Sequence, residues 1–79
     1  MDDVYPSLLT VDEVNIIMKK LNMRLELENI VLSQASLSSI HDDLKTVRIV
    51  KIGNRLERFT EELVDCIVDF YESTNTKHT

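Results

Sequence analysis

Glycine, proline and cysteine each occur once in the 79 residues, tryptophan does not occur, and the aromatics amount to two tyrosines and two phenylalanines. A β-sandwich or barrel needs many tight turns and broad aromatic or β-branched faces, so this scarcity argues against one, whereas Leu, Ile, Val, Glu and Lys suit helices. The expected class is all-α. A single Cys66 cannot close an internal disulfide, so the fold gains nothing from an oxidising compartment, and a cytoplasmic location is expected. One glycine leaves no room for a glycine-rich phosphate loop. No hydrophobic run approaches the length of a membrane helix, and Met1-Asp2-Asp3 opens without a basic stretch, so a soluble, unprocessed chain is expected. Positive charge is also short. Nine Lys and Arg stand against fourteen Asp and Glu, a net charge of −5, which argues against tracking nucleic-acid phosphates as the main task.

What remains is a 9.2 kDa chain suited to one domain. A chain this short buries a modest share of its surface, so self-association or a partner is expected to supply part of its stability. Residues 1–10 read as an extended lead-in, 11–72 as the helical domain and 73–79 as a disordered tail with nothing to bury. Thr10-Val11-Asp12-Glu13 has the spacing of a capping box, which starts helix 1. Val14, Ile17, Met18, Leu21 and Leu25 follow at helical spacing, and Leu27, Ile30, Val31 and Leu32 widen the apolar arc, which places helix 1 near 11–33. The serine-rich stretch 33–39 reads as the reversal. Helix 2 is expected near 39–72 with a break near Gly53, so the architecture is a helical hairpin of two long helices assembling as a dimeric bundle. Thr46-Val47-Arg48-Ile49-Val50-Lys51-Ile52 also has strong β propensity, which leaves helix and strand both open for residues 46–52.

One constellation carries content. Ile49, Ile52, Leu56, Phe59, Leu63, Cys66 and Phe70 alternate three and four residues apart, the spacing of a heptad seam. One flanking row reads Arg48, Arg55, Glu62, Asp69, and a second reads Lys51, Arg58, Asp65, Glu72. Both rows are basic first and acidic last, so parallel copies would set like charges together and antiparallel copies would pair opposites. That register pairs Leu56 with Phe59, Ile52 with Leu63 and Ile49 with Cys66 of a second copy, and with them Arg55 with Glu62 and Arg48 with Asp69. The same seam could instead pack on helix 1 of its own chain or on a different protein, and the sequence leaves all three open. Leu27, Ile30 and Val31 lie on an arc that a hairpin leaves partly bare, which marks them as candidate partner contacts.

Chemistry is sparse. Cys66 on the seam reads as a buried structural thiol, because no histidine stands in a spacing relation to it. His41-Asp42-Asp43 lacks a second ligand cluster and reads as a solvated helix start, so no catalytic residue, metal site or cofactor is expected. Lys45, Arg48, Lys51, Arg55 and Arg58 form a basic strip, the candidate anion-binding feature. The sequence therefore points to a small non-enzymatic interaction module, a regulator, adaptor or chaperone that pairs with itself and with another protein. The alternative is a nucleic-acid-binding accessory protein that uses the strip from Lys45 to Arg58.

Overall fold

A computed structural model describes residues 5–76. In chain order they form β1 (Ser7–Leu8), α1 (Val11–Leu27), α2 (Gln34–Leu44), β2 (Arg48–Ile49) and α3 (Arg55–Thr76). The class is all-α apart from one small antiparallel pair, in which Ser7 faces Ile49 and Leu8 faces Arg48. Three helices replace the two expected, and each difference has a local cause.

Helix α1 starts where the capping box places it. The Thr10 hydroxyl accepts from the Glu13 N–H at 3.1 Å, and Glu13 Oε1 accepts from the Thr10 N–H at 2.8 Å. Two otherwise orphaned donors are thereby satisfied. The helix stops at Leu27 rather than near residue 33, because Asn29 takes the left-handed conformation at φ 59°. Its N–H donates to the Glu26 carbonyl at 3.2 Å, and the Ile30 N–H donates to the Leu25 carbonyl at 2.9 Å. This is a Schellman turn, whose usual companion is an apolar contact between the residues at its two ends, and Leu25 and Ile30 do share a core cluster. Ile30 therefore points inward, while Leu27 and Val31 on either side of the turn are exposed.

The serine-rich stretch is helical. Ser33 caps α2 by accepting the Ser36 N–H at 3.1 Å, so residues expected to make the reversal form the helix's first two turns. Leu37, Ile40 and Leu44 carry its inner face. Its C-terminus tightens through N–H bonds from Lys45 to the Asp42 carbonyl and from Thr46 to the Asp43 carbonyl, both 3.1 Å, and the chain then extends into β2. Of the two readings open for 46–52, the strand holds at Arg48–Ile49. The helix expected over 39–72 with a break near Gly53 is interrupted from Leu44 to Arg55, and Gly53, whose φ of 58° suits glycine, sits inside the turn closed by the Arg55 N–H on the Ile52 carbonyl at 3.1 Å. Helix α3 runs through Thr76, past the expected end at 72; the last expected tail residues, 77–79, lie outside the described ones.

Helix α1 packs against both α2 and α3. One core cluster joins Leu21, Leu25, Ile30, Val64 and Val68, the other joins Leu9, Val14, Ile17 and Leu44, and Met18 and Ile40 touch both. The buried face of α3 is thus Thr60, Val64 and Val68, spaced four apart. Thr60 is tolerated there because its hydroxyl donates to the Leu56 carbonyl at 2.8 Å.

Candidate interaction surface

At about 100° per residue, the heptad seam lies roughly 100° around α3 from the line through Thr60, Val64 and Val68. The seam is accordingly the edge of the core rather than its centre. Leu56, Phe59 and Leu63, with Ile49 from β2, are half-buried against the cluster of Leu9, Val14, Ile17 and Leu44. Ile52 and Phe70 are 49% and 63% exposed, and Cys66 is exposed as well, not the buried thiol its place on the seam suggested. The Phe70 ring stands edge-on to Tyr71 with centroids 5.0 Å apart.

The two charged rows have different fates. The second row is largely engaged within the chain. Lys51 Nζ bonds Glu13 Oε1 and the Leu8 carbonyl oxygen, both at 2.7 Å, tying the segment after β2 to the start of α1. Lys51 is therefore no part of a free anion strip. Its ammonium, together with the Thr10 N–H, holds the Glu13 carboxyl below the usual carboxylate range. Asp65 Oδ1 accepts from Arg24 Nη1 at 2.6 Å, and Arg24 Nε reaches Glu28 at 3.3 Å, which joins the end of α1 to the middle of α3. The Glu28 and Glu72 carboxyls interact, which pushes Glu72 up and Glu28 down, with Arg24 adding to the lowering of Glu28. Of the first row, Arg55, Glu62 and Asp69 are exposed and form no ion pair among the described residues. Arg48 lies on β2, so it is not continuous with that row on a helix.

The start of α3 and the segment before it enclose an open groove of about 700 Å³. Ile49, Ile52 and Phe59 contribute its apolar surface, and Arg55, Arg58 and Glu62 its charged one. Four cations of the expected strip, Lys45, Arg48, Arg55 and Arg58, are exposed; Arg55 and Arg58 line this groove, and Lys45 Nζ lies 3.9 Å from Asp42. Of the three candidate partner contacts, Leu27 and Val31 are 78% and 94% exposed, while Ile30 belongs to the core. His41 is half-buried beside exposed Asp42 and Asp43. Among the described residues, no group of three or more His, Cys, Asp or Glu is placed to hold a metal ion, and no helix is long and apolar enough to cross a membrane.

The Schellman turn at Asn29 and the inward-facing Thr60 are the features the sequence reading missed. Asparagine followed by an apolar residue was the available signal for the first, and a single polar residue within an apolar 4-residue period was the signal for the second. Comparison with family models, with curated proteins and with solved structures returns no match.

Proposed function

We propose that this chain is a small non-enzymatic protein–protein interaction module, a regulator, adaptor or chaperone, that associates with a second copy along the outer edge of α3 and binds a protein partner. The observation that carries the reading is a juxtaposition along α3. Exposed Cys66 and Phe70 on the helix, with exposed Ile52 in the groove at its start, accompany Arg55, Glu62 and Asp69, charges that the chain's own acids and bases leave without an ion pair among the described residues. Apolar area supplies affinity in such contacts and the charges select direction. Leu27 and Val31, at the far end of α1, offer a separate apolar contact for a different protein. A free, exposed thiol persists in a reducing compartment, which supports the cytoplasm as its place of work.

Light scattering with mass resolved across a concentration series tests the proposal. A mass rising toward twice 9.2 kDa supports it, and a monomer at every concentration up to the millimolar range refutes it. The second reading, a nucleic-acid accessory protein, rests on exposed Lys45, Arg48, Arg55 and Arg58, of which Arg55 and Arg58 line one groove. Its mark is DNA or RNA binding whose affinity falls steeply with salt. A complex that tolerates salt and buries apolar surface belongs to the first reading.

A further inference from the structure

The geometry points to one particular partner arrangement: the groove at the start of α3 receives the Phe70 and Asp69 end of α3 from a second, antiparallel copy. This inference rests on the self-association proposed above and fixes its register. The arrangement that sets Leu56 opposite Phe59 of a second copy is disfavoured by where α3 begins, because it leaves only a short helix pair. With its first residue at Arg55, two antiparallel copies in that register would overlap as helices only from Arg55 to Thr60. Moving one heptad along extends the overlap from Arg55 to Ile67, roughly 20 Å of paired helix at about 1.5 Å per residue. The seam stays in step, because a heptad shift restores the same face. Leu56 then meets Cys66 of the second copy and Phe59 meets Leu63, and Phe70 of that copy runs past the first turn of α3 toward the groove that Ile52 lines.

Three independent features agree with this register. The groove is apolar where the aromatic ring would arrive, at Ile49, Ile52 and Phe59, and its volume of about 700 Å³ leaves ample room for a phenylalanine. Arg55, beside that apolar surface, comes level with Asp69 of the second copy, and two-fold symmetry supplies the pair twice. Phe70 and Asp69 are both exposed and adjacent in sequence, so one helix end presents the ring and the carboxylate together. The arrangement also has one unfavourable contact: Glu62 faces Glu62 of the second copy close to the two-fold axis, where like charges oppose association.

That repulsion separates this register from the other. In sedimentation or light-scattering titrations, Glu62→Gln tightens the dimer several-fold here, whereas a register pairing Arg55 with Glu62 predicts weakening. Arg55→Glu weakens the dimer by roughly tenfold or more, since two pairs become two repulsions. Adding Asp69→Arg to Arg55→Glu restores association, and adding Glu62→Arg does not. Circular dichroism on each variant confirms that the fold persists, as expected for exposed side chains. Rescue by Glu62→Arg instead of Asp69→Arg overturns the register while leaving self-association standing. A dimer indifferent to Arg55→Glu shows that the groove does not hold the partner helix, and a wild-type chain that never dimerises removes both proposals. Occupation of the groove by short DNA or RNA in competition with dimerisation would assign its arginines to the nucleic-acid reading instead.

Discussion

Val68 and Phe70 lie two positions apart on α3, and truncating each to alanine separates the core face from the outer edge. Val68 is 2% exposed and packs with Leu21, Leu25, Ile30 and Val64. Losing two buried carbons at about 0.8 kcal/mol each, with an added cavity penalty, makes Val68→Ala cost about 2–3 kcal/mol. At about 4–8 °C per kcal/mol for a domain of this size, the midpoint of thermal unfolding falls by roughly 8–24 °C. Phe70 is 63% exposed, so in the monomer Phe70→Ala removes little buried area together with the edge-on contact to Tyr71, about 1 kcal/mol in all. Both variants should be melted by circular dichroism at two protein concentrations, one below and one above the onset of association. Dilute protein should show a large loss for Val68→Ala and a small one for Phe70→Ala. At high concentration the proposed dimer predicts that the Phe70→Ala deficit grows, because association would stabilise wild type more than the variant. Equal losses in dilute solution would mean that the apolar heptad, and not the line through Val64 and Val68, faces the core of the monomer, and the assignment of faces would fail.

Asn29 at φ 59° is stable because asparagine tolerates the left-handed region, so Asn29→Gly should leave the urea midpoint nearly unchanged and Asn29→Val should lower stability by about 1–2 kcal/mol. Gly53→Ala should cost about 1 kcal/mol through backbone conformation alone, because nothing lies within 4 Å of the position an added Cβ would occupy. Glu13 titrates below its unfolded value, so its contribution is present above an unfolded pKa of about 4.3 and is lost as pH falls through the lower folded value. Glu13→Gln keeps an oxygen for the Thr10 N–H but removes the charge facing Lys51. Thermal midpoints measured from pH 6 down to pH 3 should therefore fall less steeply for this variant than for wild type; an identical slope would detach Glu13 from the acid sensitivity.

The helical class, the start of α1 and the break at Gly53 were legible because each rests on interactions within a few residues. Thr10 and Glu13 satisfy one another's amides, and glycine is the residue that best tolerates a positive φ. The end of α1 was less legible. Ile30 continues a helical apolar period, yet its spacing serves equally well as the apolar end of a Schellman turn, and only the left-handed Asn29 decides between them. Serine behaves the same way, since the residue that discourages a helix interior is also a good cap, and Ser33 uses its hydroxyl in that second role. The strand pair depends on a contact between Ser7–Leu8 and Arg48–Ile49, far apart in sequence, which no local period can announce.

The seam on α3 marks the limit of periodicity as a guide to what a helix touches. Two apolar faces coexist on this helix. One runs four residues at a time through Thr60, Val64 and Val68, and the other alternates three and four through Leu56, Phe59, Leu63, Cys66 and Phe70. Regular heptad spacing favours the second, but a helix buried by its own chain needs only a surface that matches the neighbours, and α1 with the Asn29 turn matches the first. A threonine that satisfies its hydroxyl on the preceding turn enters such a face at little cost. The charges separate the faces more cleanly than the apolar residues do. Lys51 and Asp65, from the row whose charges were expected to face a second copy, instead meet Glu13 and Arg24 of the same chain. Arg55, Glu62 and Asp69 are exposed, and their sign change along the helix suits the antiparallel copy proposed above. The exposed part of the heptad, Ile52, Cys66 and Phe70, costs solubility unless something covers it. That cost is the physical reason to look for the second molecule at the groove beside Arg55 before looking for it anywhere else on the surface.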